Sequence, residues 1–215
     1  MVPQGRHQVR ALVSPIVLSL PAPDGGKLKQ IACLGWGSLV WEPNDLPIRG
    51  PWMEDGPRLS VEFARQSRDG RITLVLAETE HLVHSQWVLM EAVDLASAVE
   101  ALRLREGIPL KNVGKHIGRW SRGDTAPATI PVLSDWADEH GVTDVVWTGL
   151  PPKFSDHEIK PSAEQVVTYL AGLSGEQLQR AEQYVRLAPR QIDTQYRRQI
   201  ESALGWSAPV VDSKP

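Results

Sequence analysis

The chain has 215 residues, of which 41% are hydrophobic, so it can form one large domain or two small ones around a substantial core. Its formal net charge is -3, from 23 Lys and Arg against 26 Asp and Glu, and it therefore lacks the positive field that attracts nucleic acid or an anionic membrane surface. We expect no nucleic-acid partner and no membrane partner, and a small neutral or zwitterionic ligand instead.

A single cysteine, Cys33, excludes an internal disulfide framework and a cysteine-rich metal site. A chain with this cysteine usage is typical of a reducing compartment, so we predict a cytoplasmic protein in which Cys33 is buried and unreactive. No apolar run approaches the roughly 20 residues that a membrane span needs.

The N-terminal segment has one feature of a targeting signal. Arg6 and Arg10 precede the apolar run "ALVSPIVLSL", which is the charge order of a secretory signal. A proline interrupts that run, and no small-x-small cleavage site follows in "PAPDGG", so we favour an extended N-terminal segment. We predict an N-terminal extension over residues 1–29, a single domain over 30–205 and a C-terminal tail over 206–215.

The first half of the domain is predicted to be rich in β-strands. Strand patterns occur in "KQIACLG", "RLSVEFAR", "RITLVLA" and "QWVLMEAV", and the turn "QSRDGR" joins the second to the third. Asp94 is then a predicted N-cap for a helix that begins at Leu95 and ends after Glu106, where Gly107 is suited to the turn.

The second half is predicted to be mainly helical. "ATIPVL" and "TDVVWTGL" are strand candidates on either side of a short helix in "DWADEHG". Ser162 with Gln165, and Ser174 with Gln177, match capping boxes that open two further helices, and the end of the domain is also helical. These patterns predict an α+β fold with its helices mainly late in the chain.

The stretch "CLGWGSLVW" places two glycines directly after a predicted strand. A dinucleotide-binding loop would need a third glycine at Val40 and a following helix, and a phosphate-binding P-loop would need Gly-Lys-Ser or Gly-Lys-Thr. The nucleophile motif Gly-x-Ser-x-Gly is broken at Leu39. Two interpretations remain open, a plain tight turn and a turn whose successive N–H groups form an anion-binding concavity.

Other residue types that could carry chemistry lack partners at a recognisable spacing. His81 and His84 have no third metal ligand, so surface or turn histidines are favoured over a zinc site, and His116 is equally ambiguous. Of the eight tryptophans, we expect most in the core and one or two in the wall of a ligand pocket.

Several segments together resemble one known family. "LGWGSLVW" is similar to the "YGSL" glycine loop of the gamma-glutamylcyclotransferase-like superfamily, especially its ChaC-type branch. "VEFARQSRDGRITLVL" resembles the strand, turn and strand that follow in that branch, and "DVVWTGLPPKF" resembles its late strand. "AVEALRLREG" is similar to the segment that carries the family's catalytic glutamate, which assigns that role to Glu106. The resemblance implies a mixed, barrel-like β-sheet.

The resemblance also implies a reaction that needs no cofactor and no metal. The α-amine of a γ-glutamyl group attacks its own γ-carbonyl, and 5-oxoproline forms as an amine or peptide is released. Glu106 would be the general acid/base, and the N–H groups after the first glycine would stabilise the carbonyl oxygen. The predicted substrate-binding residues are those of the glycine loop: Gly35, Trp36, Gly37, Ser38 and Leu39.

Two departures from the family pattern leave alternatives open. Trp36 stands where the family usually has tyrosine, and "GIPLKN" replaces the "GGY" that commonly follows the glutamate. The alternatives are a non-catalytic ligand-binding or regulatory module on the same fold, and a hydrolase or amine transferase acting on γ-glutamyl-like amides. Glu106 itself has the alternative of an exposed carboxylate beside Arg105, because the C-terminus of a helix is unfavourable for an anion.

Overall fold

The computed structural model describes residues 29–208, which contain nine β-strands and six α-helices. The strands are β1 Ile31–Gly35, β2 Ile48–Met53, β3 Arg58–Leu59, β4 Val61–Gln66, β5 Ile72–Leu76, β6 Val83–His84, β7 Gln86–Met90, β8 Ile117–Ser121 and β9 Asp144–Thr148. The helices are α1 Leu95–Arg105, α2 Val113–His116, α3 Leu133–Glu139, α4 Ala163–Ala171, α5 Gly175–Leu187 and α6 Gln195–Leu204, and a 3-10 turn at Leu110–Asn112 precedes α2.

Five strands form one mixed sheet in the order β2-β7-β1-β9-β8. β1 lies at its centre, antiparallel to β7 and parallel to β9. The remaining described strands pair as two separate ribbons, β3 with β6 and β4 with β5. The α+β class and the late helices α4 to α6 are therefore confirmed, and within residues 29–208 the sheet stays open and does not close into a barrel.

The central strand β1 is buried on both faces because side chains alternate along a strand. Ala32 and Leu34 contribute to one apolar cluster, and Ile31 and Cys33 contribute to the other. Helix α1 packs on the Cys33 side, whereas α4, α5 and α6 pack on the Leu34 side. The chain emerging from β1 thus leaves the sheet between two helical layers.

The helix ends show which capping predictions hold. Asp94 caps α1 as predicted, and Ser162 forms the predicted capping box with Gln165. Ser174 is the N-cap of α5, but its side chain makes no capping hydrogen bond, so the second box is wrong. The first residue of α5, Gly175, has φ +55, and this irregular first turn is not the regular turn that a capping box requires.

One predicted strand is wrong and two edge strands were missed. "ATIPVL" forms turns that lead into α3, because Pro131 has no N–H for a strand ladder and Leu133 donates instead to Ile130 at 3.2 Å. The missed strands β2 and β8 lie at the two edges of the sheet. Their sequences, "IRGPWM" and "IGRWS", contain glycine or proline, which edge strands tolerate and which hide the strand pattern.

Some predictions concern residues that the structure does not describe. The signal-like segment with Arg6 and Arg10 lies outside the described residues, as does most of the predicted tail. Within residues 29–208, no helix combines the length and apolar character that a membrane crossing requires. Cys33 is fully buried, and this burial raises the pKa of its thiol well above the ordinary value.

Candidate active site

A cavity of about 530 Å³ lies where the end of β1, the β4–β5 hairpin and the ends of α1 and α5 meet. All five predicted loop residues line this cavity, and so does the predicted acid/base Glu106. More than sixty residues of chain separate the loop from Glu106, so their meeting is a consequence of the fold. Their roles in binding and catalysis remain predictions.

The glycine loop carries backbone donors that the rest of the described chain does not use. After β1 ends at Gly35, Val40 N–H donates to the carbonyl of Gly37 at 2.9 Å, and Glu42 N–H donates to the carbonyl of Ser38 at 2.8 Å. The N–H groups of Gly37, Ser38 and Leu39 have no acceptor within residues 29–208. Unpaired backbone donors are rare in folded proteins, and all three residues line the cavity, which makes these N–H groups candidate donors to a ligand there.

The two glycines of the loop make room for aromatic side chains from elsewhere in the chain. A Cβ at Gly35 would lie 2.7 Å from the Trp52 ring, and a Cβ at Gly37 would lie 2.5 Å from the hydroxyl of Tyr184. Neither glycine has a positive φ, so glycine is required here by the lack of room for a Cβ and not by the backbone conformation. Trp52 and Tyr184 occupy the space beside the two glycines. Trp36, between them, is 5% exposed and lines the cavity.

Glu106 is the C-cap residue of α1, and Gly107 turns the chain away with φ +62. Its side chain is only 14% exposed, and its Oε1 lies 2.5 Å from Nη1 of Arg105, which offsets the unfavourable end of the helix dipole. Arg105 is itself fixed, because Nη2 donates to the carbonyl of Glu42 at 2.5 Å. The interpretation of Glu106 as an exposed surface carboxylate is therefore wrong.

Tyr184, on α5, is a residue of this cavity that sequence reasoning missed. Its hydroxyl accepts the N–H of Leu74 at 3.1 Å, and its ring meets Trp41 edge-on at 5.4 Å. Burial raises the pKa of Tyr184 to about 12; the Leu74 N–H and the charge of Arg71 oppose this rise, and the charge of Glu106 adds to it. The hydroxyl thus keeps its proton at neutral pH, and that proton has no acceptor within residues 29–208. The helical spacing of α5 marks Tyr184 as a core residue and gives no sign of a site.

The hydroxyl of Thr148, at the carboxyl end of β9, is a second group of this cavity that sequence reasoning missed. Leu34 pairs with Trp147 in the parallel ladder, so Thr148 lies beside Gly35, the last residue of β1. Its Oγ1 is buried and has no hydrogen-bond partner in the described part of the chain, although the residue lines the cavity. An unpaired buried hydroxyl is costly, so it marks a position where a ligand can donate or accept a hydrogen bond.

The tip of the β4–β5 hairpin forms another part of the cavity wall. Ser67 Oγ donates to Asp69 at 2.5 Å, and Nε of Arg71 lies 2.8 Å from the same carboxylate. That Nε contact is a close ion pair, but it lacks the alignment of a regular hydrogen bond. Burial opposes ionisation of Asp69, but these two contacts outweigh it and hold the pKa of the carboxyl below its ordinary value.

Comparison with known proteins yields similar structures at low sequence identity. No protein-family profile matches the chain, and no curated protein matches it. Selenomethionine-labelled yeast gamma-glutamyl cyclotransferase specific to glutathione superimposes with a TM-score of 0.46 and 13% identity, over 83% of this chain and 97% of the yeast chain. A second structure of the yeast enzyme gives a TM-score of 0.44 and 14% identity, over 82% and 98% of the two chains. The function proposed below therefore rests on the geometry of the cavity rather than on this similarity.

A second cavity, of about 590 Å³, lies near the N-terminus of α6. It contains the buried Glu62, which accepts hydrogen bonds from the Thr194 hydroxyl, from Phe63 N–H at 2.9 Å and from Tyr196 N–H at 3.3 Å. None of the predicted site residues lines it. The Glu62 carboxylate thus already accepts hydrogen bonds from neighbouring groups of the protein, which favours a structural role for it.

The histidines that the sequence singled out lie apart from the first cavity. His81 and His84 are exposed, and neither they nor His116 lines the cavity that contains Glu106. Within residues 29–208, no group of three or more His, Cys, Asp or Glu side chains is arranged to hold a metal ion.

Proposed function

We propose that this chain is a gamma-glutamylcyclotransferase-like enzyme that converts a γ-glutamyl group into 5-oxoproline and releases an amine or peptide. The observation that carries the proposal is the presence of the Glu106 carboxylate and three unpaired loop N–H groups in the wall of a single cavity. The motifs that resemble the ChaC-type branch support the same assignment. In this proposal the chain is a transferase or lyase of the cytoplasm that needs no cofactor.

The proposed reaction forms one bond and breaks another within the substrate. The α-amine attacks the γ-carbonyl carbon after Glu106 takes a proton from the ammonium, because an ammonium has no lone pair with which to attack. A C–N bond closes the five-membered ring, and the original amide C–N bond breaks. Glu106 returns the proton to the departing nitrogen, and the ring nitrogen gives up its second proton to the released amine, which leaves as an ammonium. The carboxylate is thereby regenerated.

The pair between Arg105 and Glu106 suits this role because it engages only one carboxylate oxygen. Oε1 accepts from Arg105, whereas Oε2 has no protein partner among the described residues. Arg105 thus holds the carboxylate in one orientation and leaves the second oxygen to exchange a proton with the substrate. Orientation of a reacting group by a fixed neighbour is a general means of lowering a barrier.

Charge that develops on the γ-carbonyl oxygen needs donors that are fixed before the reaction. The N–H groups of Gly37, Ser38 and Leu39 are such donors, because the turn that carries them is closed by two backbone hydrogen bonds. The proposed substrate therefore lies with its γ-carbonyl at the loop and its α-amine towards Glu106.

A non-catalytic binding module on the same fold is the second candidate, and one observation favours it. Trp36 has no hydroxyl where the resembled family has a phenol, so one polar group of the family's loop is missing. Incubation of the protein with a panel of γ-glutamyl amides and peptides, followed by mass spectrometry, separates the two. The enzyme releases 5-oxoproline and an amine, whereas a binding module returns the substrates unchanged; a hydrolase would release glutamate instead.

A further inference from the structure

A smaller cavity, of about 280 Å³, lies at the β8 edge of the five-stranded sheet. Its lining includes Ile117, Gly118 and Arg119 of β8, and Thr125 and Pro127 from the segment between β8 and α3. It shares no lining residue with the Glu106 cavity. Sites for drug-sized ligands measure roughly 300–1,000 Å³, so a cavity of this size suits a smaller molecule. We call it the β8 cavity.

The indole of Trp147 reaches the β8 cavity from the neighbouring strand. Trp147 lies on β9 opposite Gly118, and a Cβ at Gly118 would come within 2.1 Å of the indole Nε1. The glycine thus allows the ring to lie over β8 and to line the cavity. Trp147 is 6% exposed, and its Nε1–H has no acceptor within residues 29–208. A buried indole N–H usually has a partner, so this one marks a position for an acceptor on a ligand.

The backbone of β8 directs alternate residues towards its free edge. Gly149 N–H donates to the carbonyl of His116 at 2.8 Å, and Arg122 N–H donates to that of Thr143 at 2.9 Å. Bonded and non-bonded pairs alternate along an antiparallel ladder, so the even-numbered residues of β8 bond to β9. The odd-numbered residues therefore point their N–H and C=O groups away from the sheet.

Only some of these outward groups have partners. Ile117 N–H donates to the carbonyl of Val113, and Ser121 is bonded to Asp124 through both its N–H, at 3.0 Å, and its carbonyl, at 2.9 Å. Arg119 N–H and the carbonyls of Ile117 and Arg119 have no partner in the described part of the chain. The wall of the β8 cavity thus presents one backbone donor with an acceptor on either side of it.

Arg119 supplies the only charge among the described residues that line the β8 cavity. It is exposed, and its guanidinium has no ion-pair or hydrogen-bond partner within residues 29–208. Together with the Trp147 N–H it favours a carboxylate, because charge-assisted hydrogen bonds are the stronger kind and a guanidinium can bind both carboxylate oxygens. The two free carbonyls favour an N–H group on the same ligand.

We propose that the β8 cavity binds an α-amino acid unit with a free carboxylate. The carboxylate accepts hydrogen bonds from the Arg119 guanidinium and from Trp147 Nε1–H, and the amino acid nitrogen donates to the free carbonyls of the β8 edge. An apolar side chain packs against Pro127 and the Trp147 ring. A free amino acid and the last residue of a peptide both carry this combination of groups. The site is separate from the Glu106 cavity and does not depend on the proposed function.

Ligand-observed NMR titrations of four related compounds test this site. L-leucine and N-acetyl-L-leucine carry both groups, 4-methylpentanoate lacks the nitrogen, and L-leucinamide lacks the carboxylate. Hydrogen bonds to a charged group are worth roughly ten- to hundredfold in binding. At least one of the first two compounds should therefore bind about tenfold more tightly than either of the last two. Tighter binding of leucine identifies a free amino acid as the ligand, and tighter binding of N-acetylleucine identifies a peptide end.

Three variants locate the binding. Arg119→Gln should weaken binding of the preferred compound by about tenfold, and Trp147→Phe, which keeps a ring but removes the N–H, should weaken it as well. Trp147 is buried, so Arg119→Gln, at an exposed position, decides the outcome if the Trp147 variant does not fold. Arg68→Gln is the matched control, because it removes an exposed arginine from the lining of the Glu106 cavity and should leave binding unchanged.

The outcomes separate the β8 cavity from the rest of the protein. A preference for a compound with both groups that is lost in Arg119→Gln and kept in Arg68→Gln supports the inference. Absence of binding, equal binding of all four compounds, or a preference that Arg119→Gln leaves intact overturns it. An equal loss in Arg68→Gln also overturns it, since the compounds would then bind in the Glu106 cavity or respond to net charge. Release of 5-oxoproline is a separate measurement, so none of these results decides the proposed function.

Discussion

Replacing Gly37 with alanine should destabilise the protein although such replacements often do the opposite. Where the backbone permits, Gly→Ala stabilises by about 0.4–1 kcal/mol through the unfolded chain. Here the new Cβ would lie 2.5 Å from the hydroxyl of Tyr184, which is 4% exposed and held by Leu74 and Trp41. Overpacking of this kind costs about 1–3 kcal/mol, and a weakened bond to Leu74 N–H adds about 1 kcal/mol.

The unfavourable effects exceed the favourable one, so Gly37→Ala should lower the free energy of unfolding by about 1–3 kcal/mol. For a chain of 215 residues this corresponds to a Tm lower by roughly 2–12 °C. Urea-induced unfolding followed by tryptophan fluorescence measures the free energy directly.

A double-mutant cycle with Tyr184→Phe tests the cause of this loss. Without the hydroxyl, the nearest atom of the ring is Cζ, at 3.6 Å from the new Cβ, which is ordinary contact. Gly37→Ala should therefore be close to neutral in the Tyr184→Phe background, with a coupling of about 1–3 kcal/mol between the two changes. Effects that add to within about 0.5 kcal/mol, or a neutral Gly37→Ala in the parent, would refute the proposed contact between the loop and Tyr184.

Three further predictions concern the loop and two buried groups. Ser38→Pro removes one loop N–H and should lower kcat by roughly 10²- to 10³-fold, whereas Ser38→Ala, which keeps the N–H, should stay near the parent rate in the 5-oxoproline assay. The Cys33 thiol should resist a thiol reagent in the folded protein and react at once in denaturant, because burial raises its pKa and excludes the reagent; fast labelling of the native protein would contradict this. Burial also raises the pKa of Glu62, although hydrogen bonds oppose the rise. The contribution of Glu62 to stability is therefore fully present below its pKa in the unfolded chain, near 4.3, and is lost as the pH rises through its higher pKa in the folded protein. Urea titrations from about pH 4 to 7 should therefore show Glu62→Gln gaining stability relative to the parent, and a constant difference would contradict the shift.

The elements that the sequence predicts correctly depend on neighbouring residues. Asp94 and Gly107 frame α1 through contacts within one helical turn, and the β4–β5 hairpin follows from a turn between two apolar runs. The failures occur where the local pattern is ambiguous: Pro131 follows an apolar residue in a turn, and Gly175 disturbs the first turn of α5. The two edge strands are also hard to predict from the sequence, because an edge strand needs less apolar character than a central strand.

The sequence likewise identified some residues of the candidate site and missed others. The glycine loop and Glu106 could be named because a resemblance in motifs pointed to them, and the fold brings them to one cavity. Tyr184 could not be found in this way, since its hydroxyl contacts Leu74 across 110 residues of chain and nothing local distinguishes it from a core residue. Thr148 is similar, because its importance follows from the parallel pairing of β1 with β9. Contacts of this range depend on topology, which local patterns do not specify.

The most direct test of the proposed chemistry measures 5-oxoproline release by Glu106→Gln beside a control on the same helix, Glu100→Gln. Glu100 is an exposed carboxylate of α1 that pairs with Arg103 at 2.6 Å, so its replacement makes the same chemical change outside the cavity. Loss of a general base slows turnover by roughly 10²- to 10⁴-fold. We expect Glu106→Gln to fold normally and to show a loss of this size, and Glu100→Gln to keep the parent rate. A folded Glu106→Gln protein that releases 5-oxoproline at the parent rate would contradict the role of Glu106 as acid and base.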